Sequence, residues 1–154
     1  MKGELLFQEL REFISQCDIC VLYEPIQGEI DYNDPGFPLV LSGKRILLPQ
    51  SDETDPFFWA DKIFKEHRGC KVCVLVPGKT FDTSGTRHGR GGGWYDRFLS
   101  KIPVEWVRVG VAYASQISDT PLLKNSWDEP VDWIITKDED SLEFNCLKTL
   151  RARI

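Results

Sequence analysis

Short apolar runs of strand length alternate with longer amphipathic segments along the chain. Residues 72–76 (VCVLV) are continuously apolar, which is typical of a strand buried on both faces of a sheet. Residues 4–16 instead place Leu6, Leu10 and Ile14 near one face of a helix. By the same criteria we predict strands at 19–23, 45–48, 72–76, 107–112 and 133–136, and helices at 4–16, 57–66, 91–100 and 141–150.

This alternation of strands and helices predicts an α/β fold. We expect a single three-layer domain over residues 1–154, in which a mainly parallel sheet is flanked by helices. A short helical turn is predicted within residues 35–41, with Gly43 as its cap. Because parallel sheets bind ligands beyond the carboxyl ends of their strands, the functional site is expected in the loops that follow the strands.

Composition and charge narrow the class of partner. The 154 residues carry a formal net charge of −5, which does not favour binding to nucleic acid or to an anionic membrane. Apolar runs long enough to span a bilayer are missing, and residues 1–13 do not resemble a signal peptide. A cytoplasmic protein with a small-molecule partner is therefore the expectation.

Five cysteines include two Cys-x-x-Cys pairs, which leaves a zinc site open as an alternative. The pairs are Cys17/Cys20 and Cys70/Cys73, about fifty residues apart, a longer spacing than zinc ribbons use. Each pair also leads into a predicted strand. We therefore favour small buried apolar side chains over a zinc-stapled interaction module, and we expect Cys146 to pack within the last helix.

The most unusual segment is residues 81–99, FDTSGTRHGRGGGWYDRFL. Glycines allow positive φ and let backbone N–H groups approach a ligand, and the interleaved arginines can donate to phosphate in pairs. This pattern predicts a site for a polyphosphate, although a flexible surface loop is the simpler alternative. The spacing matches neither the P-loop, which would need glycine at Cys73, nor the dinucleotide-binding motif, which would need glycine at Trp94.

The segment instead resembles the signature Arg-x-Gly-x-Gly-x-Gly-aromatic-Tyr-Asp of the 5-formyltetrahydrofolate cyclo-ligase family. The matching residues are Arg87, Gly89, Gly91, Gly93, Trp94, Tyr95 and Asp96. Similar pieces flank it at 28–31, 43–49, 76–82, 109–113 and 131–136, so that the resemblance covers roughly residues 17–138.

The resemblance implies an enzyme that uses ATP and Mg²⁺ to convert 5-formyltetrahydrofolate into 5,10-methenyltetrahydrofolate, ADP and phosphate. ATP would contact Arg87, Gly89, Arg90, Gly91, Gly92, Gly93, Trp94 and Tyr95. The reduced folate would contact Glu29, Arg90, Gly92, Trp94 and Tyr95. Catalytic roles would fall to Arg90 and Tyr95, and magnesium would bind Asp96 and Asp132.

Four of these residues also have a purely structural interpretation. Trp94 can anchor a helix in the core, and Asp96 can favour a helix start. Glu29 can be a solvated loop acid, and Asp132 can be a polar residue at the edge of a strand. The family also has a longer basic N-terminal helix than this chain shows. A diverged relative that binds a nucleotide or phosphorylated metabolite without closing the folate ring therefore stays open as the alternative function.

Overall fold

The computed structural model describes residues 2–49, 54–89 and 91–151. The protein is built on a mostly parallel sheet that carries helices on both faces. Its helices are α1 (Lys2–Ser15), α2 (Pro56–Glu66) and α3 (Trp94–Ser100). Its strands are β1 (Ile19–Leu22), β2 (Lys44–Leu47), β3 (Val72–Pro77), β4 (Thr80–Phe81), β5 (Arg87–His88), β6 (Val107–Tyr113), β7 (Trp133–Lys137) and β8 (Phe144–Lys148).

The main sheet has the strand order β2-β1-β3-β6-β7-β8, and its first five strands run parallel. Strand β8 pairs antiparallel with β7, while β4 and β5 form a separate two-stranded hairpin. The predicted α/β class with a mainly parallel sheet is therefore confirmed.

Successive side chains of the central strands point to opposite faces of the sheet, so the core is divided between two layers of helices. On one face, Leu75 packs with Leu10 and Ile14 of α1. On the other face, Val74 and its neighbours pack with Ile63 of α2 and with α3. The predicted flanking of the sheet on both faces is confirmed.

The predicted helix over 141–150 is wrong. Residues 138–143 form a turn, closed by the Asp138 N–H donating to the Glu143 carbonyl at 3.0 Å, and β8 then adds an edge strand to the sheet. Cys146 is buried from this strand, not from a helix. Helical spacing of leucines misled the prediction, because Leu142 and Leu150 are exposed and share no buried face.

The predicted helical turn over 35–41 is reduced to one hydrogen-bonded turn, in which the Phe37 N–H donates to the Asp34 carbonyl at 2.9 Å, and the segment beyond it is irregular. Gly43 does not cap a helix but lies closely against the backbone at the start of β1. A Cβ there would lie 2.8 Å from the Cys17 carbonyl oxygen and 2.9 Å from backbone atoms of Asp18. Glycine therefore lets the start of β2 approach the start of β1, where the Lys44 N–H donates to the Asp18 carbonyl.

The cysteines are divided between the two faces of the sheet. Cys17, Cys20 and Cys73 pack on the α1 face, with the sulfurs of Cys20 and Cys73 3.4 Å apart on adjacent strands. Cys70 packs against the opposite face. The four sulfurs of the two Cys-x-x-Cys pairs thus do not converge, and the described residues hold no group of three or more potential metal ligands.

None of the helices within the described ranges has both the length and the apolar character needed to cross a bilayer.

Candidate active site

A pocket of about 800 Å³ opens at the carboxyl edge of β1 and β3, and we call it the carboxyl-edge pocket. Residues from both strand ends, including Tyr23 and Pro77, form part of its wall. The predicted site residues that line it are Glu29, Arg87, Gly89, Gly91, Gly92, Gly93, Trp94, Tyr95 and Asp96. Arg90 lies outside the described residues, so its predicted role stays a prediction.

The glycine turn at residues 91–93 leads directly into α3. Gly91 has φ 115° and Gly93 has φ 67°, a region of backbone conformation that side-chain-bearing residues rarely adopt. A Cβ at Gly92 would meet nothing within 4 Å. The sequence thus builds an open backbone surface on the pocket wall at the point where the resemblance implies bound phosphates.

Arg87 precedes this turn in the chain and is 6% exposed. Its Nε donates to the Pro77 carbonyl at 2.7 Å, and its guanidinium carbon is 5.2 Å from the centre of the Tyr95 ring. One Nη lies 3.9 Å from Asp96 Oδ1, and a Cβ on Gly89 would come within 2.7 Å of the other. Arg87 therefore joins the end of β3 to the start of α3 and packs closely against Gly89.

Burial shifts the pKa values of Arg87 and of the neighbouring Tyr95. It lowers the pKa of Arg87 itself, against the opposing effect of Asp96. It also raises the pKa of the Tyr95 hydroxyl, although the Arg87 charge opposes the shift. Tyr95 therefore stays protonated at neutral pH, where its hydroxyl can donate a hydrogen bond.

Asp96 faces the pocket from the first turn of α3. Its Oδ1 accepts the Glu129 backbone N–H at 3.0 Å, and its side chain is 14% exposed. Burial raises the pKa of Asp96, while the Glu129 N–H and Arg87 oppose that shift. Asp128, which the sequence analysis did not single out, lines the same pocket and lies close enough to perturb Asp96 electrostatically.

Asp132 lies elsewhere, so the prediction that it shares a magnesium ion with Asp96 needs correction. It precedes β7 and therefore sits at the amino edge of the parallel sheet, away from the pocket. Its Oδ2 accepts the Arg108 N–H at 2.8 Å, and its Oδ1 accepts from Arg151 at 2.7 Å. Asp132 thus ties β6 and the end of β8 to the start of β7.

Glu29 reaches the pocket from the loop that follows β1, and the fold holds this loop in place. The Tyr23 hydroxyl donates to the Ile30 carbonyl at 2.6 Å, and the Tyr32 hydroxyl donates to the Tyr23 carbonyl at 2.7 Å. Glu29 Oε1 accepts the Ile26 N–H at 3.1 Å. The half-buried carboxylate is therefore presented to the pocket by a loop packed on the α1 face.

Several pocket residues were given no individual role from the sequence, because they come from distant or unassigned positions. Arg97 is exposed on α3, with Nη1 3.5 Å from the position of a Cβ on Gly93. Its place in the Tyr-Asp-Arg run was the available signal. Asn125, Trp127 and Asp128 come from the long loop over residues 114–132, which we call the β6–β7 loop, and no motif marked them.

Fold and site together define an α/β protein whose glycine-lined pocket opens at the carboxyl edge of its sheet. The profile of the 5-formyltetrahydrofolate cyclo-ligase family matches residues 61–137. A 5-formyltetrahydrofolate cyclo-ligase of Mycoplasma pneumoniae is 30% identical over 116 residues, which cover 74% of this chain and 70% of that protein. The chain therefore belongs to the 5-formyltetrahydrofolate cyclo-ligase family.

Solved structures agree with this assignment. The 5,10-methenyltetrahydrofolate synthetase of Aquifex aeolicus superposes with a TM-score of 0.57 at 28% identity, covering 97% of this chain and 81% of that one. The 5,10-methenyltetrahydrofolate synthetase of Mycoplasma pneumoniae also superposes with a TM-score of 0.57, over 86% and 82% of the two chains. At 23% identity, this second likeness shows the shared fold.

Proposed function

We propose that this protein converts 5-formyltetrahydrofolate to 5,10-methenyltetrahydrofolate while MgATP becomes ADP and phosphate. The observation that carries the proposal is the convergence of the family's motif residues, from Arg87 to Asp96, with Glu29 on one pocket. The pocket volume of about 800 Å³ lies within the range of cavities that bind small molecules.

The reaction needs positioning and charge stabilisation more than an enzyme nucleophile. The formyl oxygen attacks the γ-phosphorus and ADP leaves, which turns a poor leaving group into a phosphate. N10 of the folate then attacks the formyl carbon and loses its proton, and phosphate departs with the formyl oxygen. The chain's part is to hold the two substrates against each other and to stabilise the transferred charge.

Named side chains supply those functions in the proposal. The glycine turn and Arg90 would bind the phosphates, with Arg87 holding Tyr95 and Asp96 at the start of α3. Glu29 would accept hydrogen bonds from the amino and ring N–H groups of the pterin. The protonated Tyr95 hydroxyl would donate to an oxygen that gains charge, and the Trp94 and Tyr95 rings would border the folate.

Asp96 fits the magnesium ion that the reaction requires. Carboxylate oxygens are the hard ligands that Mg²⁺ prefers, and the ion retains several waters when it also binds phosphates. Asp128 adds a second carboxylate in the same pocket. Asp132 does not line the pocket and is instead paired with Arg151. Magnesium would there neutralise charge on the phosphate oxygens.

The proposed activity is tested by measuring the absorbance of the 5,10-methenyltetrahydrofolate that forms from 5-formyltetrahydrofolate and MgATP. Turnover is expected with the native chain, and Asp96→Asn should lower kcat/KM at least about 100-fold, the scale expected for loss of one electrostatic contact to the reacting groups. Asp61→Asn is the control, because Asp61 is an exposed carboxylate on α2 that pairs with Lys65. ATP binding without turnover by the native chain would refute the proposal in favour of a diverged nucleotide-binding relative.

Arg97 provides a second test of the phosphate-binding end. Arg97→Ala is expected to raise the KM for ATP about 5- to 10-fold, because a charge-assisted hydrogen bond contributes about 1.5 kcal/mol or slightly less when exposed. The KM for the folate should stay the same. Arg68→Ala removes the same charge from an exposed position just after α2 and should change neither constant. An unchanged ATP KM in Arg97→Ala would show that Arg97 does not contact the nucleotide.

A further inference from the structure

The β6–β7 loop is attached to the rest of the fold along its length. The Leu122 N–H donates to Asp82 Oδ2 at 2.8 Å, and His88 Nε2 lies 2.7 Å from the Leu123 carbonyl oxygen. Further along, the Glu129 N–H binds Asp96, and the Val131 N–H donates to the Gly85 carbonyl at 2.9 Å. A loop fixed at these points holds its side chains in defined positions.

Trp127 lies at the tip of a tight turn within this loop. The Asp128 N–H donates to the Asn125 carbonyl at 3.1 Å, while the Asn125 N–H donates to Asp128 Oδ2 at 2.8 Å. These two bonds close the turn and direct Trp127 towards the mouth of the carboxyl-edge pocket, whose wall it forms in part.

The Trp127 side chain is 67% exposed although it belongs to a well-anchored turn. Within the described part of the chain, no other ring packs against its indole and its N–H makes no hydrogen bond. The other tryptophans are buried or half-buried. A large aromatic face left open at the mouth of a pocket is suited to stacking on a planar ring.

The position of the turn indicates which substrate carries that ring. Glu29, the proposed pterin partner, comes from the loop packed on the α1 face of the sheet. The Trp127 turn is instead joined to α3 through Glu129 and Asp96, and to the β4–β5 hairpin through His88. Asp128, next to Trp127, lies within electrostatic reach of Asp96 in the first turn of α3, directly after the glycine turn. Trp127 thus lies at the phosphate-binding end of the pocket.

We infer that Trp127 stacks on the purine base of the bound nucleotide. The inference rests on the proposed function, because it takes the glycine turn to hold the phosphates. The base then lies against the indole outside the phosphate site, while the folate enters from the side of Glu29. Trp127 is therefore a specificity-determining residue that selects a nucleotide over a bare polyphosphate.

Calorimetric titration of the full chain with ADP and, separately, with inorganic tripolyphosphate tests this inference in the presence of Mg²⁺ and without folate. Trp127→Ala is expected to bind ADP about tenfold more weakly, as for the loss of one base–aromatic stack, and to bind tripolyphosphate as the native chain does. Trp127→Phe should recover most of the ADP affinity. Phe58→Ala, which removes an exposed aromatic ring from α2, should bind both ligands normally.

Other outcomes would overturn the inference. Unchanged ADP affinity in Trp127→Ala, or an equal loss for ADP and tripolyphosphate, would show that the indole does not bind the base. Weaker binding of 5-formyltetrahydrofolate with normal ADP binding would assign the indole to the pterin instead. If the native chain bound neither ADP nor tripolyphosphate, the proposed function would fail together with the inference.

Discussion

Arg87→Gln is expected to remove nearly all activity and to destabilise the fold. The substitution deletes the buried charge that lies 3.9 Å from Asp96 and beneath the Tyr95 ring, and it weakens the bond to the Pro77 carbonyl. Removing one member of a buried ion pair costs about 3 kcal/mol of the free energy of unfolding. Because Tyr95 and Asp96 lose this charged partner, we also expect kcat/KM for ATP to fall about 100-fold or more.

Arg87→Lys is the matched variant, because it retains the charge and loses the planar guanidinium. It should be intermediate in both activity and stability. The measurements are the urea unfolding midpoint and the steady-state kinetics of each variant. Arg68→Gln, an exposed substitution of the same kind, should leave both unchanged. If Arg87→Gln retained native kinetics, Arg87 could not be what positions Tyr95 and Asp96 for the reaction.

Asp82→Asn is expected to cause a large loss of stability by a different route. Asp82 is 3% exposed and accepts from the Ser84 N–H, the Ser84 hydroxyl and the Thr86 N–H, at 2.7 to 3.0 Å. Its second oxygen accepts from the Leu122 N–H. An asparagine side chain would point its NH2 group at a donor that now binds a carboxylate oxygen. We expect this mismatch to cost about 2 to 3 kcal/mol of the free energy of unfolding.

The pH dependence of stability distinguishes this charge effect from a simple packing defect. Burial alone would raise the pKa of Asp82, but hydrogen bonds from Ser84, Leu122 and Thr86 outweigh it and hold the pKa below its usual range. The stabilisation is therefore fully present above the pKa of an unfolded aspartate, about 4, and is lost as pH falls through the lower folded value. The difference in stability between the native chain and Asp82→Asn should shrink over that acidic range.

Asp119→Asn is the control for this experiment, because Asp119 is an exposed carboxylate on the β6–β7 loop. Urea unfolding of the three proteins at neutral and acidic pH provides the comparison. A constant difference between native chain and Asp82→Asn at every pH would contradict the assignment of Asp82 as an ionised anchor of the loop.

Local sequence patterns determined the class of fold and the centre of the site. The continuously apolar residues 72–76 predicted a strand buried on both faces, and β3 is that strand. The glycines and arginines of residues 87–96 predicted one binding segment, and those that the structure describes line one pocket. Such inferences succeed because periodicity and glycine spacing reflect local backbone geometry, which depends little on the remainder of the chain.

Tertiary structure decided the features that depend on distant partners. Residues 144–148 form an edge strand because β7 offers backbone hydrogen bonds, which the helical spacing of leucines could not reveal. Asp132 precedes its strand and so lies at the amino edge, whereas Asp128 and Trp127 return to the pocket on an anchored loop. Which residues meet there follows from long-range hydrogen bonds and strand direction, and a single sequence carries no local signal for either.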